Sequence, residues 1–328
     1  MMHYTDLVYG SVEIDEAVLL DLLQTQALKR LDTVLQHGIT GLLGITQPTT
    51  RLEHSLGVMI LVHRLGGALK EQIAALLHDA SHTAFSHVID YVFNNHDVQG
   101  YHEEKKEEYL ASTDIPLTLA SHGYDWRDFL HEEKFPLLEQ PSPALCADRL
   151  DYFLRDSLGL GLASSENVRF ALAHLVVHQG RIVANNLEAA RWMGYTFIAA
   201  DQASWANFRE VGLYELAARA IRTGLKLNIM TEADLWSGDK QAWNKLLVCA
   251  DPELQAQLRL VSSQTEFVWD QHNPTFLVST KLRTIDPSVL VDSLAIPLST
   301  LDPDFAAYRH GYLTSKAGLW PMRVIPSS

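Results

Sequence analysis

Apolar residues in the first two-thirds of the chain recur every three or four positions, the spacing of helices that pack against a core. This pattern predicts helices over residues 15–38, 54–69, 71–78, 85–93, 145–156, 188–205 and 208–227, with a further helix beginning at Tyr101. Gly38 can supply a left-handed C-cap for the first of these helices. Glycine and proline interrupt residues 39–50, which we therefore expect to form a loop.

Three regions depart from the helical spacing. Residues 5–14 are expected to be extended, and residues 175–183 are typical of a β-hairpin that turns at Gln179 and Gly180. Residues 266–282 and 290–296 are rich in β-branched and aromatic residues, which favour strands. The expected fold is therefore mainly α, with a helical domain over residues 1–227 and a smaller α+β C-terminal region over residues 228–328.

Composition is that of an ordinary globular protein of 328 residues, but the charge narrows the choice of partners. The chain has 26 Lys and Arg against 40 Asp and Glu, and the resulting net charge of −14 argues against nucleic acid and anionic membranes. No apolar stretch approaches the roughly 20 residues of a membrane span, and no signal peptide is recognisable. Cys146 and Cys249 are far apart without a CxxC pair, so we expect reduced thiols in a cytoplasmic protein.

The candidate chemistry is concentrated between residues 51 and 90, where five histidines lie beside the apolar runs 58–62 and 73–77. Helices that bury these runs carry His54, His78 and Asp79 into or beside the core, where an unpaired polar group is costly. Adjacent helical side chains diverge by about 100°, so His78 and Asp79 share a site only at a helix end or around an ion. With Asp148, they offer a nitrogen and oxygen set that suits Mn²⁺, Fe²⁺, Zn²⁺, Co²⁺ or Ni²⁺, and less obviously Mg²⁺.

A second group of polar residues follows the His78-Asp79 pair. His82 lies four residues after His78 and faces the same way, and Asp90 lies three residues after His87, where a carboxylate can orient an imidazole. Beside a metal ion, such groups supply a base, an acid or a donor to a phosphoryl oxygen. Taken singly, each histidine is more commonly a structural residue, and Asp90 is equally well explained as a helix cap.

These residues belong to an ordered series that continues with His102 and with residues 148–156. In chain order the series comprises residues 51–58, His78, Asp79, His82, Phe85, Ser86, His87, Asp90, His102, Glu103 and residues 148–156. The series resembles the HD-domain metal-dependent phosphohydrolases, and among them the deoxynucleoside triphosphate triphosphohydrolases. The resemblance covers about residues 17–225, in order and with similar gaps.

The resemblance implies an HD-type helical core and a role for each matched residue. It implies one divalent metal ion bound by four residues, His54, His78, Asp79 and Asp148. It implies catalytic residues around the scissile phosphate, namely His82, His87, Asp90 and His102. It also implies that Arg51 contacts phosphate, that Gln36 contacts the deoxyribose, and that the nucleotide pocket is lined by Arg149, Tyr152 and Asp156.

Two departures from the family pattern bear on the substrate. His82 is followed by Thr83 and Ala84, where most relatives have Gly-Pro, which alters the turn but keeps the imidazole. The downstream helix carries Gly212 and Glu215, where triphosphohydrolases have residues that meet the polyphosphate. A glutamate at that place disfavours a triphosphate, with Arg209 as a candidate compensating charge.

The expected function is metal-assisted hydrolysis of a phosphate ester or anhydride of a small phosphorylated substrate, with a nucleotide as the first choice. The triphosphohydrolase branch is the nearest by motif, and the alternative substrates are nucleoside monophosphates or another phosphorylated metabolite. A nucleotide-binding regulatory protein with little turnover and a pure scaffold are hypotheses of other classes. A homo-oligomer is expected only by analogy with the family.

Overall fold

The computed structural model describes residues 1–93 and 99–325, and within them the predicted mainly α class is confirmed. The helices are α1 (Ala17–Leu22), α2 (Gln26–Leu31), α3 (Ile39–Leu42), α4 (Arg51–Arg64), α5 (Leu69–Leu77), α6 (Val88–Val92), α7 (Tyr101–Ala111), α8 (Ile115–Ser121), α9 (Ala147–Gly159), α10 (Ser165–Ala173), α11 (Leu187–Ala200), α12 (Phe208–Lys226), α13 (Asp239–Leu247), α14 (Pro252–Leu260), α15 (Leu298–Leu301) and α16 (Pro303–Lys316). The strands are β1 (Met2–Asp6), β2 (Gly10–Ile14), β3 (Leu175–His178), β4 (Arg181–Ala184), β5 (Glu266–Trp269), β6 (Phe276–Val278), β7 (Ser288–Val291), β8 (Leu294–Pro297) and β9 (Trp320–Ile325).

The prediction of one long N-terminal helix is wrong, because the chain forms α1 and α2 with a turn between them. Thr25 interrupts the predicted helix, because its side chain caps the start of α2 by accepting a hydrogen bond from the Leu28 N–H at 3.3 Å. Gly38 has a positive φ of 49°, but it precedes the short helix α3 instead of capping a long one. A side chain there would collide with the backbone of Phe85, so this close approach requires glycine.

Helix α4 begins earlier than the apolar spacing predicts because a capping box fixes its first turn. The Thr50 hydroxyl accepts from the Glu53 N–H at 3.1 Å, and the Glu53 carboxylate accepts from the Thr50 N–H at 2.7 Å. The helix predicted over residues 85–93 is shorter, since Phe85 and Ser86 have positive φ angles of 68° and 48° that a helix does not accept.

Three small sheets complete the described fold. Strands β1 and β2 form a hairpin in the segment expected to be extended, and β3 and β4 form the predicted hairpin that turns at Gln179 and Gly180. Strand β4 also pairs in parallel with β7, so that a four-stranded sheet of order β3-β4-β7-β8 joins the middle of the chain to its C-terminal part. The third sheet has the order β5-β9-β6. The division at residue 227 stays a prediction.

The buried apolar side chains form two clusters that hold the helices around the site. One cluster lies mainly on α4, α5, α9 and α11, and the other on α6, α12, α14 and the β5-β9-β6 sheet. Helix α16, which the apolar spacing did not predict, buries Phe305 and Tyr312. Among the helices of the described residues, none combines the length and the apolar content needed to cross a membrane.

A buried carboxylate ties together two loops that border the site. Asp239, at the start of α13, accepts hydrogen bonds from the Leu35 N–H at 2.9 Å and the Phe85 N–H at 2.8 Å. Burial raises the pKa of Asp239 to about 6. Both loops therefore depend on one residue that lies more than a hundred positions further along the chain.

Candidate metal and catalytic site

Two imidazoles and two carboxylates converge between α4, α5 and α9. His54 Nε2 lies 3.3 Å from His78 Nε2, 3.0 Å from Asp148 Oδ1 and 3.7 Å from Asp79 Oδ2. His78 Nε2 lies 3.5 Å from Asp79 Oδ1 and 3.6 Å from Asp148 Oδ1. Ligand atoms that surround one ion at about 2.0–2.2 Å stand at comparable separations from one another, so the cluster fits a single divalent ion.

The ends of three elements produce this convergence. His54 lies in the first turn of α4, and Asp148 lies in the first turn of α9. His78 and Asp79 follow the last residue of α5, at the point where the helix ends. The helix end explains how adjacent residues reach the same cluster.

Hydrogen bonds to the outer ring nitrogens orient both imidazoles. His78 Nδ1 donates to the Ala75 carbonyl oxygen at 2.7 Å, which fixes the ring and directs Nε2 into the cluster. His54 Nδ1 lies 2.7 Å from Asp151 Oδ2, the arrangement of a ligating histidine supported by a carboxylate. Asp151 is bonded in turn to Arg155 at 2.9 Å, and Arg155 reaches Asp6 at 3.0 Å.

The electrostatics of the cluster favour positive charge. Burial alone would lower the pKa of His78, but Asp79 and Asp148 raise it to about 10. Burial would raise the pKa of Asp79, but Arg51 and His78 hold it well below its ordinary value. The charge and the donor types therefore both fit a divalent cation.

Three more imidazoles lie beside this cluster. His82 stacks on His102 with ring centroids 3.9 Å apart, and His82 Nε2 lies 3.2 Å from Asp79 Oδ1. His87 Nδ1 lies 2.9 Å from Asp90 Oδ2, and Asp90 also accepts from the Tyr101 N–H at 3.0 Å. Burial and the charge of Arg51 hold the pKa of His82 well below its ordinary value, so this ring is neutral.

A cavity of about 710 Å³ connects the cluster to these imidazoles and to the residues that the resemblance assigned to substrate. The residues of this last group that line the cavity are Gln36, Arg51, Arg149, Tyr152 and Asp156.

Three of these five residues already have protein partners. Arg51 pairs with Asp79 at 2.7 Å, and Arg149 pairs with Glu139 at 3.2 Å. Asp156 accepts from Trp205 Nε1 at 2.7 Å.

The concern about Glu215 is not supported, because this side chain does not face the cavity. Glu215 pairs with Arg219 at 2.6 Å and with Arg222 at 3.1 Å, and Gly212 packs against the ring of Phe267. Among the described residues, helix α12 contributes Tyr214 to the cavity lining, but not Gly212 or Glu215. The argument that Glu215 repels a triphosphate is therefore wrong.

Arg209 does not compensate either. Its guanidinium donates to the carbonyl oxygens of Ser263 and Thr265, the latter at 3.2 Å.

Several residues that the sequence did not single out also line the cavity. They are His37, Glu132, Glu139, Trp205, Tyr214, Lys281 and Arg283. Lys281 and Arg283 could have been identified from the sequence, because two cations so close together stand out in a chain with a net charge of −14. The others lie in ordinary helical or loop context, where no local pattern marks them.

The HD-domain family model matches residues 51–156, from the start of α4 to within α9. This match, together with a relative of 38% identity, shows that the chain belongs to the HD-domain metal-dependent phosphohydrolases and is a hydrolase that uses a divalent metal ion. The relative is the metal-dependent phosphohydrolase cns2 of Cordyceps militaris, aligned over 320 residues that cover 95% of this chain and 92% of that protein.

Further similarities extend over nearly the whole chain. The uncharacterised protein YdhJ of Bacillus subtilis is 37% identical, with 89% of each chain covered. Two crystal structures have the same fold, each with a TM-score of 0.69. They are a hypothetical protein from Aquifex aeolicus, 20% identical over 93% of both chains, and a phosphohydrolase from Bacteroides thetaiotaomicron, 17% identical over 98% of this chain and 100% of that one.

Proposed function

We propose that the substrate of this phosphohydrolase is a nucleotide, and that it is hydrolysed at a phosphate ester or anhydride bond in the cavity of about 710 Å³. The observation that carries the proposal is that one cavity is lined by the cluster of His54, His78, Asp79 and Asp148, by the neighbouring imidazoles, and by the aromatic wall of Tyr152 and Trp205. Its volume is within the range of pockets that enclose small ligands. The triphosphohydrolase-like branch is the first substrate class to test.

The metal is assigned to His54, His78, Asp79 and Asp148. A divalent ion held there supplies Lewis-acid polarisation of a phosphoryl oxygen and lowers the pKa of water. The nitrogen and oxygen donors suit Mn²⁺, Fe²⁺, Zn²⁺, Co²⁺ or Ni²⁺ and, less obviously, Mg²⁺.

Proton transfer is assigned to the imidazoles beside this cluster. The bond between His87 Nδ1 and Asp90 fixes the ring and leaves Nε2 for exchange with water or with the leaving oxygen. His82, neutral and held by Asp79, accepts or passes on a proton, and His102 stacks on its face. Arg51 holds Asp79 in place and lies at the same cavity wall, where it contacts the phosphate.

The nucleoside part is assigned to the aromatic wall. The rings of Tyr152 and Trp205 meet edge to face with centroids 4.9 Å apart, and Trp205 is fixed by its bond to Asp156. Such rigid aromatic surfaces bind bases and the apolar faces of sugars. Gln36 lines the same cavity and supplies hydrogen-bonding groups for the deoxyribose.

One observation favours a less charged substrate as the second candidate. In addition to the metal-binding carboxylates, the cavity is lined by Glu103, Glu104, Glu132, Glu133 and Glu139. Negative charge around the site opposes a triphosphate more strongly than a monophosphate. A phosphatase acting on nucleoside monophosphates or another phosphorylated metabolite is therefore the alternative.

The test is to incubate the purified protein with Mn²⁺ and a panel of nucleoside triphosphates and monophosphates, and to separate the products by chromatography. Nucleoside plus tripolyphosphate supports the triphosphohydrolase reaction, whereas orthophosphate from monophosphates alone supports the phosphatase. Asp148→Asn should abolish both metal binding and hydrolysis. Asp128→Asn is the matched control, because Asp128 is exposed and pairs with Lys70 on the surface. Silence of the wild type across the panel contradicts a nucleotide substrate.

A further inference from the structure

Two cations from the C-terminal part of the chain reach the cavity. Lys281 and Arg283 lie between β6 and β7, and both line the cavity together with the metal-binding cluster. Their charges act on residues from both sides of the site. Lys281 and Arg283 lower the pKa of His87 in addition to the effects of burial and Arg51, and Arg283 opposes the burial that raises the pKa of Tyr152. Both cations therefore line the cavity on the side of His87, and Arg283 also acts on Tyr152.

The segment that carries these cations is firmly anchored. The Arg283 N–H donates to Asp201 Oδ2 at 2.9 Å, and Asp201 belongs to the helical turn that ends with Trp205. The Thr284 hydroxyl accepts from Arg309 Nε at 2.9 Å, and Ile285 is fully buried. These contacts fix the backbone on both sides of Arg283 and so present its side chain in a defined place.

The side chains of Lys281 and Arg283 form no salt bridge among the described residues, but Asp148 and Glu139 act on the charge of Lys281, and the charge of Arg283 acts on Asp201. Arg51 and Arg149, which line the same cavity, each pair with a carboxylate, at 2.7 Å and 3.2 Å. Lys281 and Arg283 have no such ion pair with any residue of the described chain. The Arg283 guanidinium donates to the Gln99 side chain and to the Lys281 carbonyl oxygen, which leaves further N–H donors for an anion.

We propose that Lys281 and Arg283 bind phosphate oxygens that lie outside the metal cluster, so that the C-terminal segment determines how many phosphates the site accepts. The inference rests on the proposed nucleotide hydrolysis and deepens it. The metal and Arg51 serve the phosphate that reacts, whereas Lys281 and the forked donors of Arg283 serve the remaining phosphates. These cations also offset the glutamates of the cavity, which otherwise oppose a polyphosphate.

The test compares the double variant Lys281→Gln/Arg283→Gln with the wild type. The matched control is Lys240→Gln/Arg259→Gln, which removes two exposed cations from α13 and α14. Binding of inorganic tripolyphosphate and of orthophosphate is measured by calorimetry with Mn²⁺ in excess over phosphate. We expect tripolyphosphate affinity to fall at least about tenfold in the double variant, the effect of losing charge-assisted hydrogen bonds, with little change for orthophosphate or in the control. Unchanged tripolyphosphate affinity overturns the proposal.

Kinetics add a second readout. For a nucleoside triphosphate, KM should rise at least about tenfold in the double variant while kcat is largely retained, because the lost contacts serve binding and not bond cleavage. If the double variant does not fold, Lys281→Gln alone serves, since that side chain is exposed. Tripolyphosphate binding that depends on Lys281 in a protein that hydrolyses no nucleotide contradicts the nucleotide substrate but not this anion site.

Discussion

Replacing Gly57 with alanine tests whether the buried network around Asp151 holds His54 in place. Gly57 lies on α4, three residues after His54. A Cβ atom at this position falls well under 3.0 Å from Asp151 Oδ1 and Arg155 Nη2, a separation that real Cβ atoms essentially never show. Both side chains are buried and bonded to each other at 2.9 Å, so the added methyl group must break their contact.

The expected magnitude combines two opposing effects. Alanine is better than glycine in a helix by about 1 kcal/mol, whereas breaking a buried ion pair costs about 3–5 kcal/mol. We therefore expect Gly57→Ala to lower the free energy of unfolding by about 2–4 kcal/mol. Because Asp151 also holds His54 Nδ1, we expect metal affinity to fall about 10–100-fold, the usual effect of losing an outer carboxylate partner.

Urea unfolding measures the stability, and calorimetric titration of chelator-treated protein with Mn²⁺ measures the affinity. Gly311→Ala is the matched control, because Gly311 lies inside α16 and no atom stands within 4 Å of an added Cβ. In this control the free energy of unfolding should rise by up to about 1 kcal/mol, and the metal affinity should equal that of the wild type. Equal stability and equal metal affinity of the two variants would refute the reasoning that Asp151 and Arg155 have no room to move.

Two further predictions follow from hydrogen bonds within and beside the site. His87→Ala should keep metal binding but lose turnover by about 100-fold or more, and loss of the metal, measured by elemental analysis, would show that His87 belongs to the metal cluster. Asp239→Ala leaves two loop amides without acceptors and should lower the free energy of unfolding by about 2–4 kcal/mol in urea. Since the pKa of Asp239 is raised to about 6 in the folded state, its carboxyl stabilises the fold at low pH and this benefit is lost as pH rises through 6, so the difference from wild type should be larger at about pH 5 than at about pH 7. An equal difference at both pH values would contradict the burial of this carboxyl group.

Local patterns determined the helices of the site and the residues that they carry. The apolar runs 58–62 and 73–77 predicted two buried helices, and the adjacent His78 and Asp79 predicted a helix end or a shared ion. In the structure both residues follow the last residue of α5 and meet His54. Such features depend on hydrogen bonds and side-chain spacing within a few residues, which the sequence displays directly.

Predictions from apolar spacing failed where a single polar contact decided the backbone. Thr25 divides the expected first helix, because its hydroxyl bonds to an amide in the next turn. Phe85 and Ser86 take positive φ angles, which the Phe85 N–H bond to Asp239 helps to maintain. The apolar spacing is the same on both sides of such a contact and therefore does not reveal it.

The sequence by itself determined the helical core, the order of its histidines and aspartates and, through the family resemblance, the hydrolase class. Only the tertiary structure decided which charges face the cavity. It turned Glu215 toward Arg219, away from the cavity, and it brought Arg283 to the site through a backbone bond to Asp201. The physical reason is that the field at the site depends on the distances and the burial of charges from remote parts of the chain, and the sequence order gives neither.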